Sequence, residues 1–510
     1  MRDPKVRSIH SYALAVSILS LGIALPAAGA EWDKGASLSF SGFYSDNVCL
    51  EPTDLDGNGA ATFSPRVNLT GRGARANLSL RASAEYNSLS GSSIQCNRQG
   101  GSNQQPLFRN NQQSWVPRLN FRSQLEAVEN LIYWETDAVA SQNAINPFAA
   151  GGDDNLNNTA NTNITYRWGT TLRLDRRINE LWGAQASYNY NEQSNTANQT
   201  IGDSVEDRIE LNIGMIPSAS RASVGIRGSF SEVEFEESLV RSSFTNRLAR
   251  LEARAALNLS RSWRVNAVGG QEDNVFSSNA NSIDGSYWDV GLRWSPNTRI
   301  DFSAGYGERF FGETPRFQAS YRHRRTTLRA SYQRTLRFPR NIRVEDEDAD
   351  LEIPPDVSPD QPGEPLVGDG TPTFIGQSPV LNEQFRLDYI FSARRTSLRL
   401  SLSESLQRRV EDSSDSEFRS ATLAVSRAMG RRYRASLQLR WNEAQGDNNN
   451  LGLDLVSQQR EQWRASASLQ RRLSPSVSGS VRYEFSDQTS TEATNEFQEN
   501  RVSLSLNYTF

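Results

Sequence analysis

Few residues in this chain have types and spacing that suggest chemistry. Histidine occurs only at His10 and His323. His323 stands in "SYRHRR", between Arg322 and the Arg324–Arg325 pair. A hydrolase of a bacterial envelope could use such a histidine as the base of a serine nucleophile. Alternation puts His323 on the same face as Tyr321, close to a short turn, and no serine is placed opposite it by spacing. It reads as an interfacial histidine; a lipid hydrolase built on His323 is the remote reading. "DLDGNG" (54–59) has Asp54, Asp56 and Asn58 at alternate positions, like the first half of a calcium loop, but proline occupies position 65, where the last acid belongs. It reads as a plain turn. Phosphate-cradling glycines, zinc-ligand spacing and nucleophile elbows are absent from the sequence. The expectation is a non-enzyme without cofactor or metal.

What remains is charge placed at every second position. In "EQFRLDYIF", Phe385, Leu387, Tyr389 and Phe391 oppose Arg386 and Asp388. In "RRYRASLQLRW", Tyr433, Ala435, Leu437, Leu439 and Trp441 oppose Arg432, Arg434 and Arg440. Arg399 and Arg464 hold the same polar parity in their segments. A strand sends successive side chains to opposite faces, so each segment is a ribbon with one apolar and one wet side.

The pattern recurs over some twenty segments, while the whole chain is only 36% hydrophobic with a mean hydropathy of −0.62. A soluble sandwich of this size needs longer apolar runs for its core. Disorder fits poorly, since 10 Trp, 15 Tyr and 22 Phe occupy regular positions. Low hydropathy with pervasive alternation fits a transmembrane antiparallel β-barrel, where only every second residue meets lipid. Arg386, Asp388, Arg399, Arg432, Arg434, Arg440 and Arg464 then line a water-filled lumen. Cations after residue 30 are all arginine except Lys34; genomic base composition accounts for much of this, and arginine's fork also suits carboxylates and sugar hydroxyls.

Residues 1–30 have Arg2, Lys5 and Arg7, then an apolar stretch too short to span a membrane, and end Ala28-Gly29-Ala30. That is a secretory signal peptide cleaved near Ala30, leaving 31–510 as a single outer-membrane barrel. The formal charge of −4 becomes about −6 once three cations and Asp3 leave with the signal, which argues against a nucleic-acid partner.

Connections alternate too. Short turns at 71–75, 176–179, 295–298, 393–397 and 472–476 alternate with long polar loops at 47–61, 88–112, 140–161, 192–203, 277–284, 338–380, 446–455 and 487–495. Short periplasmic turns and long outer loops are the outer-membrane pattern. The spacing predicts about 22 strands, with 18 or 20 also compatible, the first near 36–46 and the last at 498–510. Cys49 and Cys96 fall in neighbouring outer loops, a candidate disulfide in an oxidising compartment. The acidic, proline-rich loop at about 338–380 reads as a solvated surface segment; the sharper alternative is a plug folded inward against Arg322, Arg324, Arg325, Arg329, Arg334, Arg337, Arg340 and Arg343. The last strand, "RVSLSLNYTF", ends on Phe510 with Leu506 and Tyr508 on the same face. It is similar to the signal read by the outer-membrane assembly machinery.

"FSGFYSDNVCLEP", with Tyr44-Ser45-Asp46-Asn47-Val48 at its centre, is followed by "FSPRVNLTGRGARANLSLRASAEYNS". These segments resemble an outer-membrane β-barrel family associated with PEP-CTERM/exosortase systems, which sit beside exopolysaccharide loci in Gram-negative bacteria. In length and all-strand layout the resemblance covers the mature chain; Cys49 and the long 338–380 loop depart from it. It implies a role in exporting or anchoring polysaccharide or sorted proteins, and supplies no catalytic residues. Two readings stand: a porin-like channel or export conduit, or a non-conducting scaffold that binds envelope partners or polysaccharide through its loops. Expected partners are outer-membrane lipid, the assembly machinery, and exopolysaccharide or its export proteins, around a monomeric barrel.

Overall fold

In the computed structural model of the chain, the residues described are 31–53, 57–89, 115–143, 148, 163–196, 202–216, 221–238, 242–276, 283–337, 380–410, 414–447 and 457–510. The signal peptide, Cys96, Asp54 and Asp56, and nearly all of the 338–380 loop lie outside them.

The chain forms one closed antiparallel barrel. It opens with β1 (Glu31–Ser45), β2 (Asn58–Arg72) and β3 (Ala76–Leu89), and closes with β21 (Ser457–Arg472), β22 (Val477–Ser490) and β23 (Phe497–Thr509). Strands adjacent in sequence pair throughout except at one broken stave, and β1 pairs with β23 from Ser37↔Thr509 to Ser45↔Arg501. Two segments, β14 (Gly312–Glu313) and β15 (Arg316–His323), both pair with β13 (Ile300–Arg309) and make up one stave. The 23 strands therefore build 22 staves. β1 starts at Glu31, five residues earlier than alternation predicts, because β2 pairs with it as far as Glu31↔Arg72. Closure satisfies every stave's edge, as backbone groups in lipid require.

Register decides which face meets lipid. Cross-strand partners share a face, so Phe40, Leu506 and Gly479 lie in one row, as do Ser39, Asn507 and Ser478. The outward rows carry the large exposed apolar side chains, among them Leu251, Leu504 and Ile226. Aromatic pairs band the outer surface at two heights. Near the short turns lie Trp263–Trp294, with ring centroids 5.7 Å apart, and Tyr508–Phe510, at 4.7 Å. Nearer the long loops lie Tyr86–Trp115 at 4.9 Å and Trp288–Tyr306 at 6.0 Å. These are the two interfacial girdles of a membrane barrel. His323 joins the first band, its ring parallel to that of Tyr321.

The short turns are tight. At one of them Gly430 takes a φ of +81° between β19 (Asp415–Met429) and β20 (Tyr433–Asp447), a conformation that glycine adopts without steric cost.

Candidate functional site: the lumen wall

Parity, fixed by the barrel's closure, turns about half of each strand's side chains inward, and that wall is a lattice of arginines, carboxylates, amides and hydroxyls. On β8 (Ser204–Met215) and β9 (Ala222–Phe235), Arg208 and Arg227 both pair with Glu210, the latter at 2.8 Å. On β10 (Phe244–Asn258), Arg254 pairs with Glu252, which also accepts from the Tyr287 hydroxyl of β12 (Ile283–Asn297). Glu272 of β11 (Trp263–Val275) binds Arg309 at 2.6 Å and Arg250 at 3.7 Å. The Arg250 and Arg309 guanidinium carbons lie 5.3 and 5.9 Å from the Tyr287 ring centre. Arg316 pairs with Asp289 and lies flat over two glycines. A Cβ built on Gly305 would fall 2.6 Å from its guanidinium carbon, and one on Gly291 would fall 3.0 Å from its Nη2. Glycine here thins the wall so that an arginine can cross it.

Six of the seven lumen candidates sit on inward rows. On β17 (Val380–Ser392), Arg386 Nε donates to Asp388 at 2.8 Å, and Ser401 of β18 (Thr396–Arg409) donates to the same carboxylate at 2.6 Å. Arg399 and Arg434 make no ion pair among the described residues, and Arg434 is exposed. Arg440 and Arg464 face each other across β20 and β21, and Arg464 approaches Glu484 at 3.9 Å. Arg432 differs. It lies in the turn before β20, because the hairpin closes at Gly430–Arg432 while the alternation in the sequence runs past the strand's end. Its carbonyl accepts from the Arg472 N–H at 2.8 Å.

The barrel's two ends differ. A cavity of about 1600 Å³ runs along the inner wall from β6 (Asn163–Arg177) to β16 (Thr326–Arg337) and reaches the short-turn end at Arg177, Arg264 and Arg322. At the long-loop end apolar side chains cross the mouth. Val233 and Phe235 of β9, Phe276 after β11 and Leu336 of β16 (Thr326–Arg337) form a buried cluster. Phe244, Leu248, Phe310, Phe311 and Val410 pack against it. The cluster thus links staves from β9 to just beyond β18. A second contact spans the other side. Phe148, between β5 (Ile132–Asn143) and β6 (Asn163–Arg177), stacks on Phe418 of β19 at 6.3 Å and is 1% exposed. Counted through the β1–β23 seam, β19 is the tenth neighbour of β6, so this contact crosses the lumen. Sequence reasoning missed both features. Phe148 sits in a polar loop with no alternation, and the cluster's phenylalanines lie at strand ends, where parity carries little signal.

The arginines proposed as counter-charge for the acidic loop are distributed otherwise. Arg322, Arg324, Arg325 and Arg329 lie at or near the short-turn end of β15 and β16, about 30 Å of strand from where the loop leaves β16. Arg334, close to the loop, binds Glu383 at 3.1 Å. Cys49 is disulfide-bonded.

The Tyr44–Val48 segment closes the barrel. Ser45 donates to Glu499 at 2.6 Å, and Asp46 accepts from the Asn500 N–H at 2.7 Å and from its side chain at 2.8 Å. Buried Asn47 donates to the Gln498 and Glu51 carbonyls at 2.9 and 2.8 Å, and accepts from the Glu51 N–H at 2.9 Å. Val48 is fully buried beside Phe43 and Cys49. Leu50, in the left-handed region at φ 54°, packs on Phe497. The segment is a clasp at the outer end of the β1–β23 seam.

Comparison with known proteins agrees on the fold. The FrpB iron transporter of Neisseria meningitidis (F3-3 variant) superposes with a TM-score of 0.51 at 10% identity, covering 94% of this chain and 82% of that one. Its F5-1 variant gives 0.50 at 11% identity, covering 94% and 83%. The chain has the closed 22-stave fold of an outer-membrane barrel. At such identity the likeness extends to architecture alone. No known protein family matches the sequence, and neither does any curated protein.

Proposed function

We propose that this barrel is an outer-membrane conduit for a hydrophilic polymer leaving the periplasm, assembled as a monomer after its signal peptide is removed near Ala30. The observation that carries the reading is the asymmetry of the lumen: a polar, arginine-rich cavity reaches the periplasmic end, while apolar contacts cross the outer mouth. A wall of paired charges, serines and amides exchanges hydrogen bonds with water and sugar hydroxyls at little net cost. Barrels of this size have interior space that must be filled or gated. The resemblance of Tyr44–Val48 and the Ser-Pro-Arg strand to exopolysaccharide-locus barrels supports a polysaccharide as the cargo; it rests on those residues alone. Outer-membrane lipid and the assembly machinery are the partners this reading requires, the latter through the Leu506–Tyr508–Phe510 face.

Single-channel recording of the purified barrel in planar bilayers tests the proposal. The intact protein should conduct weakly or intermittently, and Phe148→Ala, or removal of residues 341–379, should raise the conductance. The apolar cluster at the outer mouth also favours a second reading, a closed scaffold that binds partners through its loops. Silence in the intact protein and in both variants, with folding verified, would discard the conduit and leave the scaffold.

A further inference from the structure

Among the described residues, the short-turn end of the lumen carries arginines that no carboxylate neutralises. On the inner wall of β11, β12, β13, β15 and β16, cross-strand register brings Arg264 opposite Arg293, Asp301 opposite Ser320, Ser320 opposite Arg329, and Arg322 opposite Thr327. Asp301 is the one carboxylate in this patch. It is already engaged by Arg293 at 2.7 and 3.1 Å and by the Ser295 hydroxyl at 2.7 Å. Asp388, across the strand pair from Arg329, is held by Arg386 and Ser401. Arg264, Arg322 and Arg329 make no ion pair or side-chain hydrogen bond among the described residues. Like charges directly opposite on a sheet, as at Arg264 and Arg293, repel.

These groups surround open space. A cavity of about 560 Å³ is lined by Arg293, Asp301, Ser320, Arg322, Thr327 and Arg329, among others. Arg264 lines the larger lumen cavity that also takes in Arg293, Arg322 and Arg329. Elsewhere on the wall the arginines are largely matched, as at Arg227–Glu210, Arg309–Glu272 and Arg316–Asp289. The arginines without an ion pair gather at the short-turn end, where Arg399 and Arg434 also lie, and they stand where a solute from the periplasm would first meet the wall.

We infer that this patch is a binding site for an anionic, hydroxyl-rich ligand, one carrying carboxylates or phosphates on a polyol chain. Guanidinium forks match both oxyanions bidentately. Ser303, Gln318, Ser320 and Gln333 on the same wall supply partners for hydroxyls. The inference rests on the conduit reading for its direction, since it names the class of cargo that the periplasmic end receives. The site itself requires only the patch.

Calorimetric titration of the detergent-solubilised full barrel at low ionic strength tests it. The probes are hexagalacturonate, inositol hexakisphosphate and neutral maltohexaose. Either anionic probe should bind, and which one does identifies the anion; maltohexaose should not bind measurably. The triple variant R264Q/R322Q/R329Q should weaken binding tenfold or more. Arg81→Gln, on the inner face of β3 across the barrel, should leave it within twofold. Raising NaCl to about 0.5 M should weaken binding by screening. No binding of either anion, equal loss in the triple variant and Arg81→Gln, or equal binding of maltohexaose would overturn the site. Binding by a barrel that never conducts would leave the site and remove the conduit; conductance without binding would do the reverse.

Discussion

Asn47→Ala tests whether the Tyr44–Val48 segment holds the barrel shut. The Asn47 side chain makes three hydrogen bonds, to the Glu51 and Gln498 carbonyls and from the Glu51 N–H, all between 2.8 and 2.9 Å, and it is fully buried. Each such bond contributes about 1 kcal/mol net, and a buried partner left unsatisfied costs about 1–3 kcal/mol. Alanine removes all three and strands three backbone groups, so the loss should be about 3 kcal/mol and could not reasonably fall under 1. A factor of roughly 150 in the folded-to-unfolded ratio follows. Tryptophan fluorescence in a urea titration of the detergent-folded barrel should show the midpoint fall accordingly. Asn189→Ala, which removes a 2.6 Å hydrogen bond to Thr171 and one accepted from Asn191 far from the seam, should cost about 1–2 kcal/mol.

A midpoint shift alone would not separate seam failure from general damage. A cross-link across the seam does. Ser39 and Asn507 are register partners on β1 and β23, and directly opposed residues of an antiparallel pair lie within disulfide range. If Asn47 acts by holding the seam, S39C/N507C under oxidising conditions should restore most of what Asn47→Ala loses, and reduction should abolish the rescue. An Asn47→Ala barrel as stable as the parent would refute the clasp. A loss that the cross-link does not repair would place the damage elsewhere.

The Arg501–Glu499 pair is almost completely buried and held at 2.9 Å, so Glu499→Ala should cost about 3–5 kcal/mol, whereas Glu232→Ala, which breaks the exposed Arg247–Glu232 pair, should cost under about 1 kcal/mol; paired urea titrations compare them. Phe148→Ala should raise single-channel conductance by removing a contact across the mouth, at a cost of about 3–5 kcal/mol for the buried ring; unchanged conductance would show that the stacking on Phe418 does not limit the pore. Phe510 is 69% exposed on the lipid face and its N–H donates to the Ala36 carbonyl at 2.9 Å. Phe510→Ala should therefore lower the yield of assembled barrel in cells while leaving the urea midpoint of the assembled fraction within about 1 kcal/mol, and a normal yield would separate the terminal aromatic from assembly.

The wall was legible in the sequence because a period of two states both the element and its faces. Leu437 and Arg440 declare opposite sides of β20 before any partner is known. What alternation omits is register, and the lumen's chemistry depends on it. Arg264 and Arg293 are 29 residues apart and become neighbours only when β11 pairs with β12; Asp301 is withdrawn from the unpaired arginines only because the pairing of β12 with β13 hands it to Arg293. The seam was hidden for a different reason. Ser45, Asp46 and Asn47 find their partners at Glu499, Asn500 and Gln498, so the Tyr44–Val48 segment has no meaning until β1 meets β23. The outer mouth was hidden most deeply, since Phe148 and Phe276 belong to connections, where neither period nor propensity speaks. A barrel therefore announces its wall in every strand and its contents almost nowhere. The unmatched arginines at the periplasmic end are the exception, because a folded wall that leaves like charges facing a cavity points to a charge supplied from outside the chain.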